Sequence, residues 1–166
     1  MKKICLTITI AVFLLLCING IQAQTTQTKL NQVELMKQLL GSWKSEAFQD
    51  TIVTGEMKSF GNGLEWYSKT EVKGKIVREG KSLIGYDKKN DKLIECYLSN
   101  GSPDIILYSM WFTSANKFEE ILLKDVSNTE NTLIMKSEFK SPDLFIENDF
   151  VNNKLINTYT IHRVRK

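Results

Sequence analysis

Residue types that do chemistry are sparse in this chain of 166 residues. His162 is the only histidine, and its place beside Arg163 near the C-terminus is typical of a surface or rim residue. Zinc sites need several His or Cys ligands at set spacing. Beyond residue 23, the sequence offers only Cys96 and His162. We therefore predict no catalytic residue, no metal site and no cofactor.

Two pairs of acidic residues are the remaining candidates for acid–base chemistry. Glu119 and Glu120 are adjacent, and neighbours along a strand face opposite sides, so these two cannot act together. Glu147 and Asp149 share a face, because they are two residues apart. We interpret that face as solvated and outer. The alternative is a pair of acids inside a barrel, as a glycosidase would need.

Large apolar and aromatic side chains give a stronger signal. Tyr108, Met110 and Phe112 alternate onto one face of an extended segment, and Trp66 and Ser68 share a face of another. Apolar walls with a few polar atoms are what a small-molecule pocket requires. The predicted ligand-binding residues are Trp66, Ser68, Tyr108, Met110, Phe112 and Met135. The alternative is that these side chains simply fill the interior.

One helix and a series of strands must position these side chains. Apolar residues recur near helical spacing over 30–40, and Gly41 is well placed to end that helix. Beyond Gly41, extended segments alternate with turn signals such as Gly61-Asn62-Gly63 and Ser141-Pro142. The predicted strands are 42–49, 52–60, 64–73, 75–86, 92–99, 104–113, 117–125, 131–140, 143–151 and 155–164.

The short loops determine the fold class. Loops of two to five residues make strands that are neighbours in sequence antiparallel neighbours in space. An open sheet of so many strands would leave two exposed edges, and closure removes both. We therefore predict an all-β fold, an antiparallel up-and-down barrel of about 8–10 strands with one short N-terminal helix. A two-sheet sandwich is the alternative.

The segment 105–112 is apolar on both faces, whereas a barrel strand with a wet outside should alternate. Either the helix 30–40 or a second subunit must therefore cover its outer side, and we favour the helix. Cys96 lies in another apolar stretch, and we expect it to be a buried small hydrophobic residue.

Residues 1–23 are typical of a secretory signal peptide. Lys2 and Lys3 precede an apolar run, and Ala23 offers a small residue before a cut. The predicted organisation is a signal peptide at 1–23, a flexible leader at 24–29 and one β-barrel domain at 30–166. This predicts a periplasmic or secreted protein. The alternative is a lipoprotein anchored through Cys17, which ends the apolar run.

Composition and charge exclude several classes of protein. Hydrophobic residues make up 42% of the chain and charged residues 25%, the mix of a globular domain. The formal net charge of +3 falls to +1 when Lys2 and Lys3 are removed, so nothing indicates a nucleic-acid partner. After signal cleavage we expect no membrane span, and a monomer or weak homodimer.

The junction Leu39-Leu40-Gly41-Ser42-Trp43-Lys44 carries a family resemblance. A short helix followed by Gly-x-Trp at the first strand resembles the start of the lipocalin-like (calycin) barrels. In that family the Trp plugs one barrel end, and a basic side chain of the last strand packs across it. The resemblance implies that Trp43 and Arg163 close the barrel. The second lipocalin motif is absent, so the chain is most similar to the small secreted lipocalin-like domains of bacteria.

These observations predict an extracytoplasmic binding module that holds a small hydrophobic or amphipathic molecule inside a β-barrel. One alternative is a hydrolase or isomerase on the same scaffold. Another is a structural or interaction protein with a filled barrel. The interior distinguishes the three, because an apolar cavity favours binding, a cavity with a buried acid favours an enzyme, and dry packing favours a structural role.

Overall fold

A short helix and ten strands make up the computed structural model, which describes residues 29–48, 50–123 and 133–165. The predicted signal peptide, including Cys17, and nearly all of the predicted leader lie outside the described residues. The α-helix α1 spans Gln32–Met36, and a 3₁₀ turn follows at Lys37–Leu39. The strands are β1 (Gly41–Phe48), β2 (Thr51–Phe60), β3 (Gly63–Val72), β4 (Lys75–Asp87), β5 (Lys92–Ser99), β6 (Ser102–Ser114), β7 (Lys117–Leu122), β8 (Leu133–Ser141), β9 (Leu144–Val151) and β10 (Lys154–Val164).

The ten strands form a closed antiparallel barrel in which each strand pairs with its neighbours in sequence. The first and last strands complete the ring, with Ser42 opposite Val164 and Trp43 opposite Arg163. This confirms the predicted all-β up-and-down barrel with one short helix, at the upper end of the predicted strand number. Closure leaves no unpaired sheet edge, which is the physical reason for expecting a barrel.

Side chains alternate between the interior and the outside, as the pleat of a strand requires. On β7, for example, Phe118 and Glu120 are buried, whereas Glu119 lies on the opposite face and its carboxylate is 3.5 Å from the Lys136 ammonium. One end of the interior is apolar and closely packed. Its core consists of Met36, Leu39, Trp43, Met57, Leu64, Ile84, Leu93, Met110, Phe112, Phe118, Phe139 and Phe145.

The helix closes this apolar end of the barrel. Asn31 caps it by accepting a hydrogen bond from the Glu34 amide at 3.2 Å. Met36 and Leu39 lie in the core cluster, and the buried Gln32 bonds both the amide and the carbonyl of Phe112. None of the helices among the described residues is long and apolar enough to cross a membrane.

The expectation that the helix covers the outer face of 105–112 is wrong. Ile105 is 62% exposed and Leu107 is 40% exposed. The helical segment instead packs Met36 and Leu39 into the core cluster at the barrel end. On the same outer face, the Lys92 ammonium lies 3.9 Å from the centroid of the Trp111 ring. A second subunit over this face stays a prediction.

Cys96 is also more accessible than expected. It is partly exposed, and β-sheet register places it between Leu83 of β4 and Leu107 of β6. Since both neighbours are exposed and point outward, Cys96 belongs to the outer face of the barrel rather than to its interior.

Candidate functional site in the barrel interior

The closed end of the barrel is built around Trp43 and Arg163, the residues that the resemblance assigned to closure. The Trp43 indole N–H donates to the Leu39 carbonyl at 2.7 Å. The Arg163 guanidinium lies over the Trp43 ring, with its central carbon 4.1 Å from the ring centroid. The guanidinium also donates to the backbone carbonyls of Gln38 and Leu40, which ties β10 to the end of the helical segment.

Gly41 makes this arrangement sterically feasible. Its φ of 120° lies in a region that side chains rarely adopt, and a Cβ there would collide with the Arg163 guanidinium. The glycine that ends the helical segment therefore also makes room for the arginine over the tryptophan.

Aromatic rings form a floor beneath the open part of the interior. The Trp43 ring centroid lies 5.1 Å from that of Phe145 and 6.3 Å from that of Phe139. The Phe118 ring lies 6.0 Å from Phe145 and 5.4 Å from Phe112. Edge and tilted contacts at these separations are the preferred aromatic geometries, so the floor is rigid and apolar.

Above the floor lies a cavity of about 220 Å³. Its wall is mostly apolar, and three glutamates interrupt the apolar surface. The lining residues are Leu39, Trp43, Lys44, Ser45, Val53, Thr54, Gly55, Met57, Trp66, Ile84, Glu95, Met110, Phe118, Glu120, Phe145, Glu147 and Ile161. The cavity exceeds the roughly 150 Å³ at which an apolar protein cavity accepts benzene, so its size suits a small organic molecule.

Four carboxyl groups from three strands project into the interior above the floor, and we call them the carboxyl ring. They are Glu95 of β5, Glu120 of β7, and Glu147 and Asp149 of β9. β-sheet register places Glu120 opposite Met110 and Met135, and Met135 opposite Asp149. Glu120 and Asp149 are buried, and Glu95 and Glu147 are partly buried.

The interpretation of Glu147 and Asp149 as a solvated outer face is wrong. They share a face with Phe145, which lies in the aromatic floor, so the same alternation turns both acids inward. Sharing a face with the apolar Phe145 is a signal in favour of the interior, but only strand pairing shows which face of β9 lies inside. Glu95, Glu120 and Ser45 were missed as site residues, because only pairing with neighbouring strands shows which face of a short strand is inside.

Burial changes the protonation of Glu95 and Glu120. Loss of hydration raises the pKa of Glu120 well above its usual value, and the nearby charges of Glu95 and Glu147 raise it further. Loss of hydration also raises the pKa of Glu95, against the opposing effect of hydrogen bonds from Ser82 and Glu120. These shifts favour a proton on Glu120, which donates it in a hydrogen bond to Glu95.

Loss of hydration raises the pKa of Glu147 to about 7, with a further contribution from the charge of Asp149. The Ser137 hydroxyl opposes this shift by donating to the Glu147 carboxylate at 3.2 Å. Loss of hydration also raises the pKa of Asp149, to which Asn157 and Tyr159 donate hydrogen bonds. At neutral pH the carboxyl ring therefore contains both protonated and ionised groups.

Two buried polar atoms in this region have no hydrogen-bond partner among the described residues, the Ser45 hydroxyl oxygen and one carboxyl oxygen, Oδ1, of Asp149. Ser45 is 7% exposed and lines the cavity, and Asp149 is 8% exposed. Most buried polar atoms in proteins are hydrogen-bonded to protein or to ordered water, so both atoms can bond a molecule that enters the interior.

The predicted ligand-binding residues lie in three parts of the barrel interior: the cavity wall, the packed floor, and positions that face the interior outside this cavity. Trp66 and Met110 line the cavity, and the Trp66 ring occupies the space where a Cβ of Gly55 would lie. Phe112 belongs to the packed floor instead. The other three face the interior but do not line this cavity: Ser68 opposite Gly55, Tyr108 opposite Glu95, and Met135 opposite Glu120.

The exposed His162 lies on β10 opposite Lys44 of β1, away from the carboxyl ring. Within the described ranges, no group of three His, Cys, Asp or Glu residues is arranged to hold a metal ion. Comparison with known proteins adds no family. No protein-family model and no curated protein matches this chain.

Proposed function

We propose that the barrel is a binding module for a small amphipathic molecule, held in the cavity between the aromatic floor and the carboxyl ring. The observation that carries this proposal is an unfilled interior with an apolar base, a polar upper wall and the unpartnered Ser45 hydroxyl. Burying the apolar part of a ligand contributes about 25 cal/mol per Å² before the costs of association. The polar groups then select the orientation.

The layout of the closed end supports membership of the lipocalin-like barrels as part of this proposal. A short helix leads through Gly41 into Trp43, and Arg163 from the last strand packs across that ring. Export through the segment 1–23 is proposed from the sequence alone. The mass of the exported protein tests it, because cleavage after Ala23 leaves Gln24 at the N-terminus, whereas lipid on Cys17 adds the mass of acyl chains.

A neutral probe tests binding in the cavity. Isothermal titration with 2-phenylethanol should show saturable binding to the wild-type protein. Val53→Phe should weaken that binding roughly tenfold or more, because Val53 lines the cavity and the larger ring fills it. Ile52→Phe is the matched control, since Ile52 lies on the opposite face of β2. Binding that survives Val53→Phe unchanged would place the site elsewhere.

The carboxyl ring favours a second candidate, a hydrolase or isomerase on the same scaffold. Burial raises the pKa of Glu120 well above its usual value and that of Glu147 to about 7, so two carboxyl groups suited to proton transfer near neutral pH line one cavity. Turnover of aryl glycosides or aryl esters by the wild-type protein, lost in both Glu147→Gln and Glu120→Gln, would support this candidate. Absence of turnover across such a panel would count against it.

A further inference from the structure

We propose that the ligand of this cavity carries a primary ammonium group, which the carboxyl ring binds while the apolar part of the molecule rests on the aromatic floor. This inference rests on the proposed binding function and names the ligand class. It follows from the charge balance of the interior, from the unpartnered acceptors and from the geometry of the wall.

The charge balance of the interior is one-sided. Among the described residues that line the cavity, three are acidic, Glu95, Glu120 and Glu147, and one is basic, Lys44. The Lys44 ammonium points away, since it pairs with Glu46 at 3.1 Å and is 41% exposed. Arg163 lies at the closed end, over Trp43, and bonds backbone carbonyls. Among the described residues that line the cavity, no cation of the protein therefore balances these acids.

The two buried oxygen atoms without a hydrogen-bond partner in the described part of the chain, Ser45 Oγ and Asp149 Oδ1, can both accept a hydrogen bond. The Asp149 Oδ1 atom can accept hydrogen bonds, and the Ser45 hydroxyl accepts as well as donates. Both residues are more than nine-tenths buried. An ammonium group supplies three donors and no acceptor, which matches an interior rich in carboxylate and hydroxyl oxygens.

An organic cation fits this wall better than a metal ion does. No group of three acidic, His or Cys side chains within the described ranges is arranged around one point as metal ligands are. The carboxyl ring also stands directly above the apolar side chains of Met110, Phe118 and Phe145. A bare ion would leave that floor without a partner, whereas an amine with an aromatic or alkyl body covers it.

The affinity for an amine should rise with pH, because the ring binds a cation best when it is ionised. The titratable groups in and around it are Glu95, Tyr97, Tyr108, Glu120, Glu147, Asp149 and Tyr159, from β5, β6, β7, β9 and β10. Register also puts Arg78 on the inner face of β4, where it is exposed. All four acids have a raised pKa, and the pKa values of Tyr108 and Tyr159 are raised to about 12, so these two side chains stay neutral. Binding of an ammonium group must therefore release protons from the acids.

A matched series of three probes tests the inference on the intact protein. Isothermal titration compares 2-phenylethylamine, 2-phenylethanol and phenylacetate, which share an aromatic ring and differ in the charge of the polar group. At about pH 8 we expect the amine to bind roughly tenfold or more tightly than the alcohol, and phenylacetate not to bind measurably. The amine should lose affinity toward about pH 5, and its binding enthalpy should depend on the buffer as protons are released.

The outcomes separate this inference from the proposed function. Equal affinity for the alcohol and the amine would overturn the inference and leave the binding function standing. Binding of phenylacetate in preference to the amine would do the same. Absence of binding by all three probes would overturn both.

The ratio of amine affinity to alcohol affinity in a charge-removing variant distinguishes a binding role from a structural one, because a structural defect would weaken both ligands equally. Glu147→Gln should weaken amine binding roughly tenfold and weaken 2-phenylethanol binding much less, since the amide keeps the shape but loses the charge. Glu119→Gln is the matched control, because Glu119 lies on the outer face beside Lys136. Unchanged amine affinity in Glu147→Gln, or equal losses for amine and alcohol, would contradict a carboxylate–ammonium contact.

Discussion

Arg163 and Trp43 come from opposite ends of the described chain and meet where the barrel closes. Arg163→Ala removes the cation–ring contact, the stem packing and the hydrogen bonds to the backbone. We expect it to lower the free energy of unfolding by about 1–3 kcal/mol. Trp43→Ala should cost about 3–5 kcal/mol, because it empties a large volume in the core.

The two losses should not add in the double variant, since each substitution removes the same contact. Denaturant unfolding of the wild type, both single variants and the double variant measures this coupling. Full additivity would mean that the side chains do not interact, and the lipocalin-like assignment would lose its main support.

Glu147 makes the stability of the protein depend on pH. Its pKa is raised from an ordinary value of 4.5 to about 7, so folding favours the protonated carboxyl. The stabilising effect of this proton is complete below about pH 4.5 and is lost as the pH rises through about 7. Glu147→Gln mimics the protonated form, so it should raise the free energy of unfolding at about pH 8 by up to roughly 3 kcal/mol.

At about pH 4 the same variant should match the wild type, because Glu147 is then protonated in both the folded and the unfolded state. Urea unfolding at the two pH values measures the difference. Glu119→Gln, on the outer face, should show no comparable gain at the higher pH. A Glu147→Gln variant that is no more stable than the wild type at about pH 8 would contradict burial of an ionisable carboxyl.

At the scale of elements, one glutamine fixes the helix on the barrel. The Gln32 side chain donates to the Phe112 carbonyl at 3.1 Å and accepts from the Phe112 amide at 2.7 Å. It thus bonds both backbone groups of one residue of β6, as a neighbouring strand would. Gln32→Ala should lower the free energy of unfolding by about 1–3 kcal/mol, because it leaves two buried backbone groups without partners.

Gln38→Ala is the matched control for this contact. Gln38 also donates to a backbone carbonyl, that of Ala115 at 2.9 Å, but this bond is exposed and water can replace it. Thermal unfolding of both variants compares the two contacts. Equal and small losses would show that the helix is held by its apolar residues Met36 and Leu39 alone.

Pairing of the first and last strands, β1 and β10, closes the barrel. Ser42 and Val164 are opposite one another on β1 and β10, and cross-strand partners lie about 4.5–5.5 Å apart between Cα atoms, within disulfide reach. In a protein whose native cysteines are replaced by serine, Ser42→Cys with Val164→Cys should therefore form a disulfide on mild oxidation.

Alkylation of free thiols after oxidation measures formation of this disulfide, because bonded cysteines do not react. A control that combines Ser42→Cys with Lys154→Cys should stay reduced, because Lys154 pairs with Val151 near the other end of β10. Efficient bonding in the control and not in the test pair would contradict the closed barrel.

Local signals in the sequence are enough to predict the secondary-structure elements. Gly and Asn at the turns, two-residue alternation between them and Gly41 after an apolar helix are local signals, and they predicted the helix and the order of ten strands to within a few residues. Short loops then left antiparallel neighbours as the simplest arrangement, so the barrel itself could be predicted.

Which face of each strand lies inside the barrel depends on long-range strand pairing. Alternation shows that Glu147 and Asp149 share a face with Phe145, but the direction of that face depends on pairing with β8 and β10. Tertiary packing also places the helix at the barrel end and leaves Ile105 exposed. The carboxyl ring could not be predicted because Glu95, Glu120 and Glu147 are far apart in sequence, and only register and closure bring their side chains into one cavity.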